Sequence, residues 1–536
     1  MNFNFSNPYT STRLPLFARN VVSTSHPLGA QAGLRMMLKG GNAVDAAIAA
    51  AAAMTIVEPV SNGLGSDAFC ILWDGKELHG LNASGGAPQS WTPEYFKRKY
   101  GADAATPPKR GMDAVTVPGA VASWVALSER FGKLPFADLM EPAIEIAERG
   151  YLVPTVVQQK WAAATAELQS QPGFAASFLP WGRAPKVGEL FQFKAAAKAL
   201  RAIAESKGGA YYGGAIAQAI EKFSAQNGGS ITARDFANYQ AEWVRPIAQN
   251  YRGYTLHEIP PNGQGIAALI ALGILDQFDL AGLPVDGVDS QHLQIEAMKL
   301  AFADTYHYVG EPSAMEVTPA QMLDSSYLAA RAKLIDMKKA QDFGAGNPVK
   351  GGTIYLTAAD ENGMMVSFIQ SNYMGFGSGC VEPEFGISLQ NRGHGFSLKP
   401  GANQVAPGKR PFHTIIPAFL SKDGQPVMSY GVMGGNMQPQ GHMQTLVRML
   451  DYGQNPQAAC DAPRWRFNAG LEINVESAMT PQTAQGLAAR GHRVDVINDS
   501  YQDFGAGQFI WRAGDPQVEG YVAASDARRD GQAVGF

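Results

Sequence analysis

Residues 353–372 read TIYLTAADENGMMVSFIQSN, two runs rich in β-branched, aromatic and apolar residues around a polar tetrad. The pattern predicts two strands joined by a turn at Asp360 to Gly363, with Asn362-Gly363 supplying the positive φ of a tight hairpin. Immediately upstream the chain changes character: AQDFGAGNPVKGG, residues 340–352, is polar, glycine-rich and without hydrophobic period. From about Lys338 to Gly352 a flexible, exposed segment is expected. A threonine therefore heads a hairpin directly after a Gly-Gly pair. Threonine is a common strand former, and on this ground alone Thr353 is an ordinary sheet residue.

Downstream, Thr414 to Phe419 and Pro426 to Val432 read as two more strands split by an Asp-Gly turn, and helical stretches follow near Gln440 to Met449 and Pro481 to Arg490. Towards the N-terminus, Leu28 to Lys39 and Asn42 to Val57 have helical spacing; Gly40-Gly41 separates them and Asn42 caps the second. Phe69 to Trp73 and Glu77 to Leu81 read as strands around Asp74-Gly75, followed by the loop NASGGAP at 82–88. From Pro118 to about Leu300 the pattern is chiefly helical, including Ala195 to Glu205 and Gln291 to Asp304. Strands in the middle of the chain with helices on either side predict an αββα sandwich, sheets enclosed by helical layers.

Composition agrees with a globular protein: of 536 residues 46% are hydrophobic and 17% charged, and 43 Lys+Arg against 47 Asp+Glu leave a net charge of −4 with no basic block. Nucleic acid is not an expected partner. The most apolar run, Val44 to Val57, carries Asp45 and falls short of the roughly 20 residues a membrane span needs; no membrane association is expected. Three scattered cysteines and an N-terminus without a basic, apolar leader suggest a reducing, cytoplasmic setting. There is no GxSxG elbow, Walker A loop or HExxH, and the nine histidines are scattered rather than paired with carboxylates at ligand spacing. The Gly375 to Gly379 stretch, GFGSG, lacks the strand and helix context of a dinucleotide loop. Neither a metal nor a cofactor is expected.

Several longer blocks carry a resemblance. GGNAVDAAIAA at 40–50, EPVSNGLGSDAF at 58–69, KLPFADLMEPAIEIAERG at 133–150, EAMKLAFAD at 296–304, GKRPFHTIIPA at 408–418 and MGGNMQPQGH at 433–442, with the string at Thr353, resemble the gamma-glutamyltranspeptidase family in family order. These are N-terminal nucleophile hydrolases. The resemblance implies a precursor that cuts itself between Gly352 and Thr353 into a large segment, 1–352, and a small one, 353–536, which together form one body; a dimer of such heterodimers is one possible assembly. It implies Thr353 as nucleophile, with its freed α-amine (reference pKa about 7.7–8.0) as base. Ser371 falls where the family has a threonine supporting the nucleophile, and Gly434-Gly435 where a glycine pair donates backbone N–H groups to the oxyanion. Thr357 is a weaker supporting candidate.

The substrate side departs from that pattern. The family's carboxylate-binding arginine falls at about Ser84 and its ammonium-binding aspartate at about Gly395. His413-Thr414 replaces a serine pair, Tyr373 stands in place of an asparagine, and the connection from Phe396 to Lys409 is short. New polar groups, Arg392 and His394, lie in the substrate-binding loop. Arg392 is expected to bind a carboxylate; a surface arginine paired with a nearby acid is the alternative. The expected substrate is a small amide with a γ-glutamyl-like or dicarboxylic acyl group, with hydrolysis favoured over transfer. A true γ-glutamyl transferase and a catalytically silent binding protein are the rivals. His26, Asp45, Glu296 and Asp304 are expected to be structural.

Overall fold

The computed structural model describes residues 13–344, 352–498 and 504–536. Two seven-stranded antiparallel sheets form its centre. Across the first the order is Gln532–Gly535, Val21–Thr24, Gly352–Ala359, Met365–Tyr373, Asp67–Trp73, Leu78–Ala83, Glu242–Val244. Across the second it is Leu16–Ala18, Tyr521–Ser525, Ala506–Arg512, Gln425–Met433, Ala418–Lys422, Tyr254–Glu258, Ile247–Tyr251. The strand period of two sorts side chains between layers. Tyr355, Ile369, Phe419, Met433 and Ile510 fill the space between the sheets. Ile354, Leu356, Val366 and Phe368 face the other way, onto the wholly buried helix Ala43–Val57. Leu420, Met428 and Val432 do the same for the second sheet, against the helices Ile266–Leu275 and Met437–Leu450. This is the αββα sandwich that the order of elements predicts.

The central hairpin forms as its sequence suggests. Gly363 takes a φ of 89°, and the Asp360 carboxylate accepts from Asn362 N at 2.9 Å. Its second oxygen accepts from Ala43 N at 2.8 Å, so the turn also closes the N-terminus of the Ala43–Val57 helix, beside the Asn42–Asp45 capping box. At the other end the register slips: Gly352 pairs with Tyr373 but Ile354 with Gln370, so Thr353 faces two residues of its partner strand.

Three expectations need correction. The helical region 118–300 contains the hairpin Ile247–Tyr251 and Tyr254–Glu258 at the sheet edge; its turn, Arg252-Gly253, has φ of 51° and 79°, and arginine is not a residue that advertises such a turn. The strand expected from Thr414 begins only at Ala418. The segment expected to be flexible from Lys338 is held at its start, where Ala340 is buried and donates to Arg490 O at 2.7 Å; its residues 345–351 lie outside the described residues.

Candidate active site

Thr353 is 2% exposed, and its Oγ1 lies 3.1 Å from Ser371 Oγ, which accepts from Tyr373 N at 2.8 Å. The hairpin's regular register, Ile354 with Gln370 and Tyr355 with Ile369, sets Ser371 opposite Thr353 on the face between the sheets, and the slip follows beyond the pair, at Gly352. Further along that face Tyr355 packs on Gly431, and Thr357 Oγ1 meets Ser429 Oγ at 2.6 Å. Each two-residue step along the hairpin strand therefore moves two residues along Gln425–Met433 in the opposite sense, which brings Thr353 to the level of Met433 and Gly434-Gly435. Both glycines have positive φ, 123° and 62°, turning the chain from the strand into the helix Met437–Leu450. Thr357 itself serves as a bridge between the sheets, one step removed from Thr353.

On the neighbouring strand Asp67 pairs directly with Ser371. It is fully buried and belongs to a cluster comprising Arg392, His413, Thr414 and Tyr373. His413 Nε2 lies 3.0 Å from Asp67 Oδ2, and Ile415 N donates to its Nδ1 at 3.4 Å, so Nε2 carries the proton. Arg392 is also fully buried and so is not at the surface, although an acid, Asp67, stands beside it as that alternative has it. Its Nη1 donates to Thr414 Oγ1 at 2.9 Å, its Nε stands 4.0 Å from Asp67, and its guanidinium lies over the Tyr373 ring at 4.1 Å. Among the described residues Nε and Nη2 have no hydrogen-bond partner. Burial pushes Asp67 up to about 7 against the pull of Arg392, and burial pulls Arg392 down to about 10. Burial, with Arg392 adding to it, holds His413 well below the usual imidazole range, so it is neutral.

Tyr373 has a φ of 75°, a left-handed conformation that a bulky side chain adopts at a cost of about 1–3 kcal/mol. The Ser371 bond and the overlying guanidinium hold it there. Asparagine enters that conformation more readily, so the tyrosine exchanges backbone ease for an aromatic floor under Arg392.

The other expected residues have partners of their own, Ser84 at the edge of this cluster and the rest away from it. Ser84 Oγ accepts from Asn262 Nδ2 at 3.0 Å, and its loop is pressed flat because a Cβ on Gly85 would come within 1.5 Å of Val117 O. His394 turns to the Pro107 carbonyl at 2.8 Å, and Gly395 contributes no side chain. The short connection after Phe396 folds onto Trp91 and Phe96 through Leu398 and Val405. His26 caps a helix by accepting from Leu28 N at 3.1 Å, and Asp304 pairs with Arg331 at 2.7 Å. Sequence reading missed Asp67, although it lies within one of the quoted blocks, EPVSNGLGSDAF at 58–69; only the register shows it beside Ser371.

Two groups of described residues bring three metal-ligating side chains together: Asp74, Glu77 and His79 on a surface turn, and buried His292, Glu296 and His492. The second corrects the expectation of unpaired histidines, since His292 and Glu296 stand four apart on the helix Val288–Tyr308. It is closed by its own bonds. His292 Nε2 donates to Asp336 O at 2.9 Å and its Nδ1 lies 2.8 Å from His492 Nε2. His492 Nδ1 faces Lys299 Nζ at 3.4 Å, and Lys299 donates to Glu296 at 2.7 Å and to Gln341 O at 3.1 Å. An ammonium already sits where a cation would.

Stacked antiparallel sheets between helical layers, with a threonine at a strand head beside a glycine turn, define an enzyme of the N-terminal nucleophile hydrolase fold. The gamma-glutamyltranspeptidase family profile matches residues 29–536, and the chain belongs to that family. It is 36% identical to the glutathione hydrolase-like YwrD proenzyme of Bacillus subtilis (strain 168), covering 97% of this chain and 98% of that protein. It is 35% identical to the acylase ACY 1 proenzyme of Pseudomonas sp. (strain SE83), covering 89% and 87%. The crystal structure of cephalosporin acylase from Bacillus halodurans superposes with a TM-score of 0.95 at 48% identity, over 100% of this chain and 99% of that one.

Proposed function

We propose that the chain is a precursor that cuts itself between Gly352 and Thr353, and that the freed Thr353 hydrolyses small amides whose acyl group ends in a second carboxylate. The α-amine of Thr353 takes the hydroxyl proton, Oγ1 attacks the amide carbonyl, and the N–H groups of Gly434-Gly435 receive the oxyanion. Protonation of the leaving amine gives an acyl-threonine ester, which water hydrolyses. Ser371 holds the hydroxyl at 3.1 Å. The small subunit, 353–536, stays docked on the large one. The three buried, unpaired cysteines support a reducing, cytoplasmic setting.

The observation that carries the choice of substrate is Arg392, fully buried, with Nε and Nη2 making no hydrogen bond among the described residues, beside the Thr353–Ser371 pair's own strand neighbours, Asp67 and Tyr373. A buried cation with two idle donors fits a carboxylate. Among the described residues no comparable group awaits an ammonium: Ser84 is held by Asn262, Gly395 has no side chain, and Asp67 is engaged by His413. A dicarboxylic monoamide therefore suits the site better than a γ-glutamyl donor, and kinship with acylases supports that preference.

The test is a comparison of glutaryl-p-nitroanilide with γ-glutamyl-p-nitroanilide, each with and without glycylglycine. The glutaryl compound should be released faster, without acceptor stimulation. Faster γ-glutamyl release accelerated by glycylglycine would instead establish a transferase.

A further inference from the structure

Gln264 belongs to none of the residues discussed so far, yet it touches both halves of the site. It is fully buried in the turn before the helix Ile266–Leu275. Its backbone N donates to His413 O at 2.9 Å. Its side-chain Nε2 donates to Thr414 O at 2.6 Å and to Gly435 O at 3.0 Å. Two carbonyl acceptors fix the orientation of the amide, because the opposite flip would set oxygen against oxygen. One side chain thus spans the residue that binds Arg392 and the turn that carries the glycine pair.

The surroundings give these bonds a purpose. Gly434 and Gly435 have no side chains to lock their peptide planes, and φ of 123° and 62° leaves them in a region where glycine is free to rotate. An oxyanion donor works only if it is aimed before the charge develops. The first turn of the following helix adds Gln438 N to Gly435 O at 3.2 Å, and Gln438 Oε1 accepts from Ile416 N at 2.9 Å. That second glutamine ties the helix to the 414–416 segment, but its side chain does not reach the glycine turn.

We propose that Gln264 is a positioning residue that holds the Gly434-Gly435 turn and the Thr414–Arg392 contact in one geometry, so that oxyanion stabilisation and carboxylate binding are set together. The proposal rests on the reading of Gly434-Gly435 as oxyanion donors and of Arg392 as carboxylate ligand. Gln264 reaches substrate only through those neighbours.

The experiment uses the mature wild-type enzyme, Q264M, Q264E and Q438M, assayed on whichever of glutaryl- and γ-glutamyl-p-nitroanilide the wild type hydrolyses faster. The choice of anilide keeps the outcome independent of the donor preference argued above. Q264M should lower kcat at least tenfold and raise KM severalfold together. Q438M should alter each less than threefold. Q264E places a carboxylate against two carbonyl oxygens when ionised, and a single O–H donor when protonated. Its kcat relative to wild type should therefore rise as pH falls from 8 to 5, a recovery a merely space-filling residue would not show. If Q264M does not accumulate as folded protein, the pH series on Q264E carries the test alone. Q264M within threefold of wild type in both constants, or a Q264E to wild-type ratio that is flat with pH, overturns the proposal. Loss of turnover in Thr353→Ala with normal Q264M kinetics would leave the nucleophile reading intact and remove only Gln264.

Discussion

The cluster of Asp67, Arg392 and His413 and the cluster of His292, Glu296, Lys299 and His492 are both buried, and both set acids and imidazoles around a single cation. They differ in closure. Every polar bond of Lys299 and the two histidines runs to a neighbour, and the chain ends on the carbonyls of Asp336 and Gln341. Among the described residues Arg392 keeps two nitrogens without a hydrogen bond. Leaving buried donors unmade costs about 1–3 kcal/mol each, a cost that a bound carboxylate would offset. The closed cluster holds the chain at Asp336 and Gln341, whereas the open one is where the proposed substrate carboxylate would bind.

The contrast can be broken at several points. The largest effect is expected in the closed cluster, where Lys299→Met leaves Glu296 without its ammonium and should cost about 3–5 kcal/mol in denaturant unfolding, with kcat and KM unchanged. A small stability loss there would show that the knot is not structural. In the open cluster Arg392→Ala should raise KM for the glutaryl anilide about 10- to 150-fold, the equivalent of one charged hydrogen bond of about 1.5–3 kcal/mol. Unchanged kinetics would remove Arg392 from substrate binding.

A smaller effect sharpens the electrostatics. Burial raises Asp67 to about 7, so below that pH it carries its proton and Arg392 acts as an uncompensated cation; above it, the carboxylate partly neutralises Arg392. KM for a carboxylate-bearing donor should therefore be lowest below pH 7 and rise about fivefold from pH 6 to 8, on the order of 1 kcal/mol. Asp67→Asn should flatten that profile. The smallest change is expected from Ser371→Ala, which loses the hydrogen bonds to the Thr353 hydroxyl and to Tyr373 N and should lower kcat about 2- to 10-fold.

Much of this arrangement is legible before any coordinates. Alternation and the Asn362-Gly363 turn give the central hairpin, Gly40-Gly41 and Asn42 give the helical pair on it, and family blocks point to Thr353, Ser371 and Gly434-Gly435. What the sequence hides is whatever depends on register or on a partner far along the chain. Asp67 becomes a neighbour of Ser371 only through strand pairing. Gln264 matters only because its turn meets Thr414 and Gly435, 150 and 171 residues away. For Arg392 the sequence leaves both a carboxylate ligand and a surface residue open, and only the structure shows the turn folding it inward over Tyr373. His394, two residues on, faces the opposite way to Pro107.

The central claim is that Thr353 both releases and becomes the nucleophile. Intact mass of the purified protein under denaturing conditions, beside Thr353→Ala, tests it most directly. The account predicts two fragments meeting between Gly352 and Thr353 in the wild type and one unbroken chain in the variant. An uncut wild-type chain that still hydrolyses its amide, or equal cleavage in Thr353→Ala, would contradict it.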